Sequence, residues 1–394
     1  MISKIQQTVT KERFLPQLNI SGAFPHSPTI SLEATKLVAE LLEKDANEHH
    51  IIFDDRGFHN HLTHMLLADY SLGASEKRLR EIYKQEEQMQ RPKPLKHKDF
   101  KWTEHLGDSK YYTDYLDFML EEVEELGPVG AIEKYAFEEK NNMIARLLGG
   151  VYHPMIHIGY GLEFGIDGMV AEGLATMCIH NDLNKGLIPQ EIQLAKDSST
   201  SALDLAKTMV EDKRFDSIKS AGPFKFMAFY KQPELVLEYV SKWSLSPDKE
   251  ELLKKVRELM ILGVAAYAGP QSPNKEPLLD FFLMHVLTST LFLPVFVQQL
   301  SPELGMSFLR GKLAMDLAHF AGRNRPPLYL DRFTSWTTKY TKSWSEIFEL
   351  AVNHDDEHFP KVIRALKQAE IWDPEETLGK GVYRAIASMT VETL

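Results

Sequence analysis

The chain has 394 residues and an ordinary 43% of hydrophobic residues, compatible with one large domain or two that share a core. A net charge of -11 argues against nucleic acid or an anionic membrane as a partner. A single cysteine, Cys178, excludes an internal disulfide and any zinc site built from cysteines, and it suits a reducing, cytoplasmic compartment.

In chain order, MISKIQQTVTKERF has no apolar stretch of the secretory-signal kind. Residues 1–30, with Pro16, Pro25 and Pro28, read as an extended arm, and residues 31–394 as one helical domain. Ser31 caps an amphipathic helix to Ala46, with Ala34, Leu37, Val38 and Leu41 as its stripe. His61 and His64 then share a helix face that ends at Gly73, and Ser75 starts the next helix. Residues 85–110 are polar and read as a surface excursion, and Tyr111–Gly127 as an acidic helix.

The segment Gly149–Gly165, GGVYHPMIHIGYGLEFG, sets His153 and His157 four apart at the start of an apolar helix. Pro154 suits its first turn. His157, Tyr160 and Phe164 recur on one face. Imidazoles inside such a helix need partners, because an unpaired buried polar group is costly. A backbone carbonyl or a tyrosine hydroxyl would serve; so would a metal or a substrate. A helix over Val170–His180 follows, with small residues for close packing.

Phe224, Phe226, Phe229 and Tyr230 form an aromatic cluster that suits either core or pocket. The apolar run Leu278–Phe296 is broken by polar residues and Pro294, and reads as a core helix rather than a membrane span. His285 within it stands in FFLMHVL, a stretch otherwise apolar all round. A helix over 307–320 ends in His319, and two helices meet near His354 and His358.

No run of alternating strands and no glycine-rich phosphate loop is present, so the fold class is all-α and a flavin or nucleotide site is not expected. Histidines at helical spacing suit iron, zinc, copper or nickel. The HEXXH pattern is missing, and neither Glu163 nor Glu172 has a histidine three residues on, which argues against a carboxylate di-iron site. Lys361 falls in the first turn of the last of these helices, where the dipole disfavours a cation. It is either a surface lysine balanced by Asp355, Asp356 and Glu357, or a buried amine able to form a carbamate.

Four segments, NHLTHMLLADYSLGAS, HPMIHIGYGLEFG with VAEGLA, DFFLMHVLTSTLFLP and HDDEHFPKVIRAL, together resemble the questin oxidase-like family, in that order from about residue 58 to residue 370. The resemblance implies a flavin-independent oxygenase of fungal or bacterial polyketide metabolism that opens the central ring of an anthraquinone, often by Baeyer–Villiger insertion. It implies molecular oxygen as co-substrate and NADPH as reductant of the quinone, through a partner reductase. His64, His153, His157 and His285 would be catalytic. In an iron-dependent form the same four would bind Fe(II) with a carboxylated Lys361, and His61, His354 and His358 are alternates. Tyr160, Phe164, Phe224, Phe226, Trp243 and Phe282 are candidates for the substrate lining. Two other classes stay open on the residues alone: a non-catalytic helical binding protein with structural histidines, and a metal hydrolase with Glu163 as its acid or base.

Overall fold

A computed structural model describes residues 10–17, 24–138, 140–141, 143–189, 194, 199–218, 225–270 and 280–393, the side chain of Phe281 excepted. Helices make up the fold. Among the described residues there is no strand, only isolated bridges between His49 and Pro92 and between Ile52 and His59. Helices that carry the site are α1 (Leu62–Leu72), α2 (His153–Phe164), α3 (Asp167–Ile179), α4 (Phe281–Thr290), α5 (Pro302–Gly322) and α6 (Phe359–Trp372).

Every residue of α1 and α2 is buried, as is all of α3 after Asp167. A helix apolar on all sides can only sit inside the core. Glycines end the first two: Gly73 and Gly165 both lie in the left-handed region, at φ 96° and 62°. Small residues let α2 and α3 touch closely. A Cβ on Gly161 would meet the amide nitrogen of Val170 at 2.8 Å, and one on Gly173 would meet that of Ile158 at 2.8 Å. Ser31 accepts the amide N–H of Ala34, and Ser75 that of Arg78, so both expected N-caps are present.

Two sequence expectations need correction. The N-terminal arm is not wholly extended: Lys11–Phe14 form a single turn that buries Phe14 against Gly168. The helix expected over Tyr111–Gly127 starts at Tyr112 and breaks at Gly127 as expected (φ 72°, ψ 162°), because Pro128 bars its neighbour from helical geometry; a second helical segment continues from there to Ile132. The apolar run Leu278–Phe296 is two helices, α4 and Leu293–Gln299, bent by 44° at a break before Pro294. No single helix among the described residues is long and apolar enough to cross a membrane. The excursion at 85–110 is tied back to the fold, since Thr113 donates to the Pro94 carbonyl and Tyr115 to that of Trp102.

Candidate active site

α1 and α2 face each other through four histidines. His61 stands at the N-cap of α1 with His64 one turn on, and His153 and His157 lie one turn apart on α2. The rings pair across the gap: His61 Nε2 to His153 Nε2 at 2.6 Å, and His64 Nε2 to His157 Nδ1 at 3.0 Å.

The anchors behind these pairs fix where the protons sit. His153 Nδ1 donates to the Gly150 carbonyl at 2.6 Å, so its Nε2 accepts and His61 donates. His157 Nε2 lies 3.2 Å from the Glu172 carboxylate on α3, which only accepts. His157 Nδ1 therefore accepts from His64, and His64 Nδ1 is left as a lone pair. That atom is buried with no hydrogen-bond partner among the described residues. The Tyr160 ring stacks on His64 at 5.2 Å.

α4 and α6 close the chamber. His285 and His358 bring ring nitrogens together with one of His61, all within 4.8 Å of one another. His285 also lies 5.2 Å from His153, centre to centre. Lys361, one turn beyond His358, is only 4% exposed. Burial pushes its amine down to about 8, against the pull of Glu357, Asp356 and Glu86. Burial first, and the Lys361 charge with the neighbouring rings after it, hold His61, His64 and His153 well below the usual imidazole range. Those three imidazoles are held neutral, the form that accepts a proton or binds a metal.

A cavity of about 780 Å³ opens beside this chamber, and none of the chamber's histidines lines it. Asp55 and Arg56 stand at its outer rim, and Gly150, Val151, His180 and Phe226 further along its wall. His180 Nε2 meets His59 Nε2 at 2.7 Å, and the His59 ring stacks on His153 at 4.0 Å. The backbone beside the cavity is strained: Gly150, Val151 and Tyr152 have φ of 54°, 54° and 69°. For a β-branched valine that is a true outlier, costing on the order of 1–3 kcal/mol.

Tyr152 begins a second network that the sequence reading did not contain. Its hydroxyl donates to Asp316 on α5 at 2.7 Å and lies 2.8 Å from His319 Nδ1. Lys312 pairs with the same Asp316 oxygen and stands over the Tyr152 ring. All four side chains are buried. A further buried pair backs Tyr160: Arg364 on α6 binds Glu163 and lies 5.6 Å from the Tyr160 ring centre.

The expected residues therefore fall into groups. His61, His64, His153, His157, His285, His358 and Lys361 are brought together. Tyr160 adjoins them through His64, and Phe164 is one turn deeper, against Tyr70 and Arg364. Phe226 lines the cavity and packs on Phe282 at 5.2 Å. Trp243 stands apart, its indole donating to Glu258 with Lys255 over the ring. His354 is half-buried and stacked on Phe359, outside the group of chamber histidines. Phe224 lies outside the described residues.

Residues 58–366 match the family described as questin oxidase-like. The chain is 30% identical to the Baeyer-Villiger oxidase AgnL3 of Paecilomyces divaricatus, over 84% of this chain and 78% of that one. It is 31% identical to the Baeyer-Villiger monooxygenase dmxR6 of Cryptosporiopsis sp., over 84% and 80%. It is 27% identical to a questin oxidase of Aspergillus fumigatus, over 92% and 86%. With its family model matched across most of the chain and its histidines gathered on one set of helices, the protein belongs to the questin oxidase-like family and is an oxidoreductase of the Baeyer–Villiger oxygenase kind.

Proposed function

We propose that this enzyme oxygenates and opens the central ring of an anthraquinone, or of its hydroquinone, in cytoplasmic polyketide metabolism, with molecular oxygen as co-substrate and no flavin. The observation that carries the reading is the bare lone pair of His64 Nδ1 in a chamber of neutral imidazoles, with the Tyr160 ring against it. A flat phenol or hydroquinone seated there gives its hydroxyl proton to a neutral histidine. The hydroquinone anion so formed gives two electrons to oxygen, the resulting peroxide attacks the ring carbonyl, and as the neighbouring ring carbon migrates the O–O bond breaks, one oxygen atom entering the ring and the other leaving as water with the hydroquinone's two protons. The charge that develops meets Lys361 from one side of the chamber. NADPH would serve only to reduce a quinone, through a partner reductase.

One observation favours a second reading. His61, His285 and His358 offer three converging ring nitrogens, and His64 Nδ1 adds a partnerless donor nearby. This set fits Fe(II), which suits imidazole ligands. His153 and His157 would have to release their present partners to join it, and a carboxylated Lys361 would add an anionic oxygen. Iron held there would supply oxygen activation, while the same residues bind and orient the ring.

Oxygen uptake with a reduced anthraquinone, followed by mass analysis of the product, tests the proposal. Uptake with one added oxygen atom is expected, and no uptake would overturn it in favour of a binding protein. Repeating the assay after chelation separates the two readings: activity that survives full iron removal rejects the second.

A further inference from the structure

A thin wall separates the cavity from the chamber. Gly150 and His180 line the cavity, and each is in contact with the chamber side. The Gly150 carbonyl accepts the Nδ1–H of His153 at 2.6 Å. His180 meets His59, whose ring stacks on that of His153. A ring that enters the cavity therefore meets this wall before it meets the chamber's histidines.

The same wall is where the backbone is strained. Gly149 to Tyr152 form a tight turn, closed by the Tyr152 N–H on the Gly149 carbonyl at 2.9 Å, and its two central residues are both left-handed. Among the described residues, Val151 is the one β-branched side chain at positive φ. Such a mirror-image turn suits Asn-Gly, whereas the right-handed form of the turn accepts Gly150 and Val151 without penalty. Three contacts hold the strained form. His153 bonds the Gly150 carbonyl, and the Tyr152 hydroxyl is fixed by Asp316. The rings of His180 and His59 fill the space over Gly150, where a Cβ would meet them at 2.5 and 2.9 Å. Turning Gly150 and Val151 to the right-handed form gives up one hydrogen bond, the one to His153, and releases strain of similar size. The two forms are therefore close in energy. Tyr152, anchored through its hydroxyl, is the fixed end of the movement, and the Gly149–Gly150 pair is its pivot.

We propose that this turn is the gate through which a flat hydroxylated aromatic passes from the cavity into the chamber. In the left-handed form the wall is shut. In the right-handed form Val151 and the Gly150 carbonyl leave His153, and the way is open. Val151, Ile179, Phe226 and Tyr230 give the ring an apolar surface in the cavity to dock on before it passes. This rests on the anthraquinone reading above and adds the route by which the ring reaches the histidines.

The test follows alizarin, a dihydroxyanthraquinone, binding to the full chain without reductant, by stopped-flow quenching of tryptophan fluorescence. With the native protein the binding rate should level off as alizarin is raised, because opening of the turn sets the limit. Val151→Asn and Val151→Gly both suit the left-handed form, so they keep the gate shut and should lower the limiting rate about tenfold. Val151→Ala shortens the side chain but keeps the strain, and its limiting rate should stay within about twofold of the native one. Should Val151→Asn fail to fold, Val151→Gly carries the comparison. A native rate that rises linearly with alizarin would overturn the gate and leave the substrate reading standing. So would a limiting rate that Val151→Gly leaves unchanged, or that Val151→Ala lowers as much. Failure of alizarin to bind the native protein would overturn the substrate reading and the gate together.

Discussion

Arg364→Met removes the charge from a fully buried ion pair while keeping most of the side chain's volume. Glu163 is 1% exposed, and burial already raises its carboxyl to about 7 although Arg364 opposes the shift. A carboxyl whose folded pKa is raised favours the folded state at low pH. Its contribution is full below the ordinary value of 4.5 and is lost as pH climbs to about 7. Those 2.5 units (7 less 4.5) correspond to about 3 kcal/mol. Without Arg364 at pH 8, Glu163 must stay charged and unpaired or remain protonated far above its ordinary range, and either costs about 3–5 kcal/mol. At pH 5 the carboxyl is already neutral, and the loss shrinks to about 1 kcal/mol for the missing hydrogen bonds. His26, 3.6 Å from Glu163, is no substitute cation at pH 8, since burial first and Arg364 second push its imidazole down to about 4. Urea unfolding at pH 5 and pH 8 reads the difference directly. The double variant Arg364→Met with Glu163→Gln should recover most of the stability at pH 8. A loss equal at both pH values and unrelieved in the double variant would refute the reasoning.

Three other outcomes follow from the same structure. Gly173→Ala should destabilise by about 1–3 kcal/mol, seen as a lower melting temperature, because the new methyl meets the backbone of Ile158 and Pro154, which cannot swing aside. Tyr152→Phe should cost about 1–3 kcal/mol in denaturant unfolding, since it strips a buried partner from both Asp316 and His319. Below pH 6.5 the protein should lose stability overall. Burial lowers His50 to about 4 and His319 to about 3, so unfolding takes up protons there, and each contributes up to about 3–5 kcal/mol by pH 3. Glu163 acts in the opposite direction over the same window but is outnumbered; unfolding midpoints at pH 7 and pH 4.5 check the net sign.

Much of the chamber was legible because its signals are local. A spacing of three or four between histidines in apolar surroundings places them on one buried face, and that face is where α1 and α2 meet. Lys361 was legible as a choice between two states, and its burial decides for the second. The pairings were not legible. Tyr152 and Asp316 are 164 residues apart, and Glu163 and Arg364 are 201 apart. No spacing rule joins such residues. One cue was present: Lys312 and Asp316, four apart in the otherwise apolar run GKLAMDLAHF, form a charged pair that could be buried only as a unit. Phe164 and Trp243 show the converse. Aromatic residues in an apolar context carry no mark of whether they face a cavity or the core.

The left-handed residues Gly150–Tyr152 reverse the chain's screw sense for one turn, and the two side chains that follow serve different networks. Tyr152 is held by α5 and His153 by α1, with a single peptide bond between them. That bond works as a stiff axle: it cannot rotate to improve one set of contacts without spoiling the other. A change in how α5 holds Tyr152 therefore carries a mechanical cost at the histidine chamber, while Phe226, which touches His319 but is not mounted on the axle, can change without it.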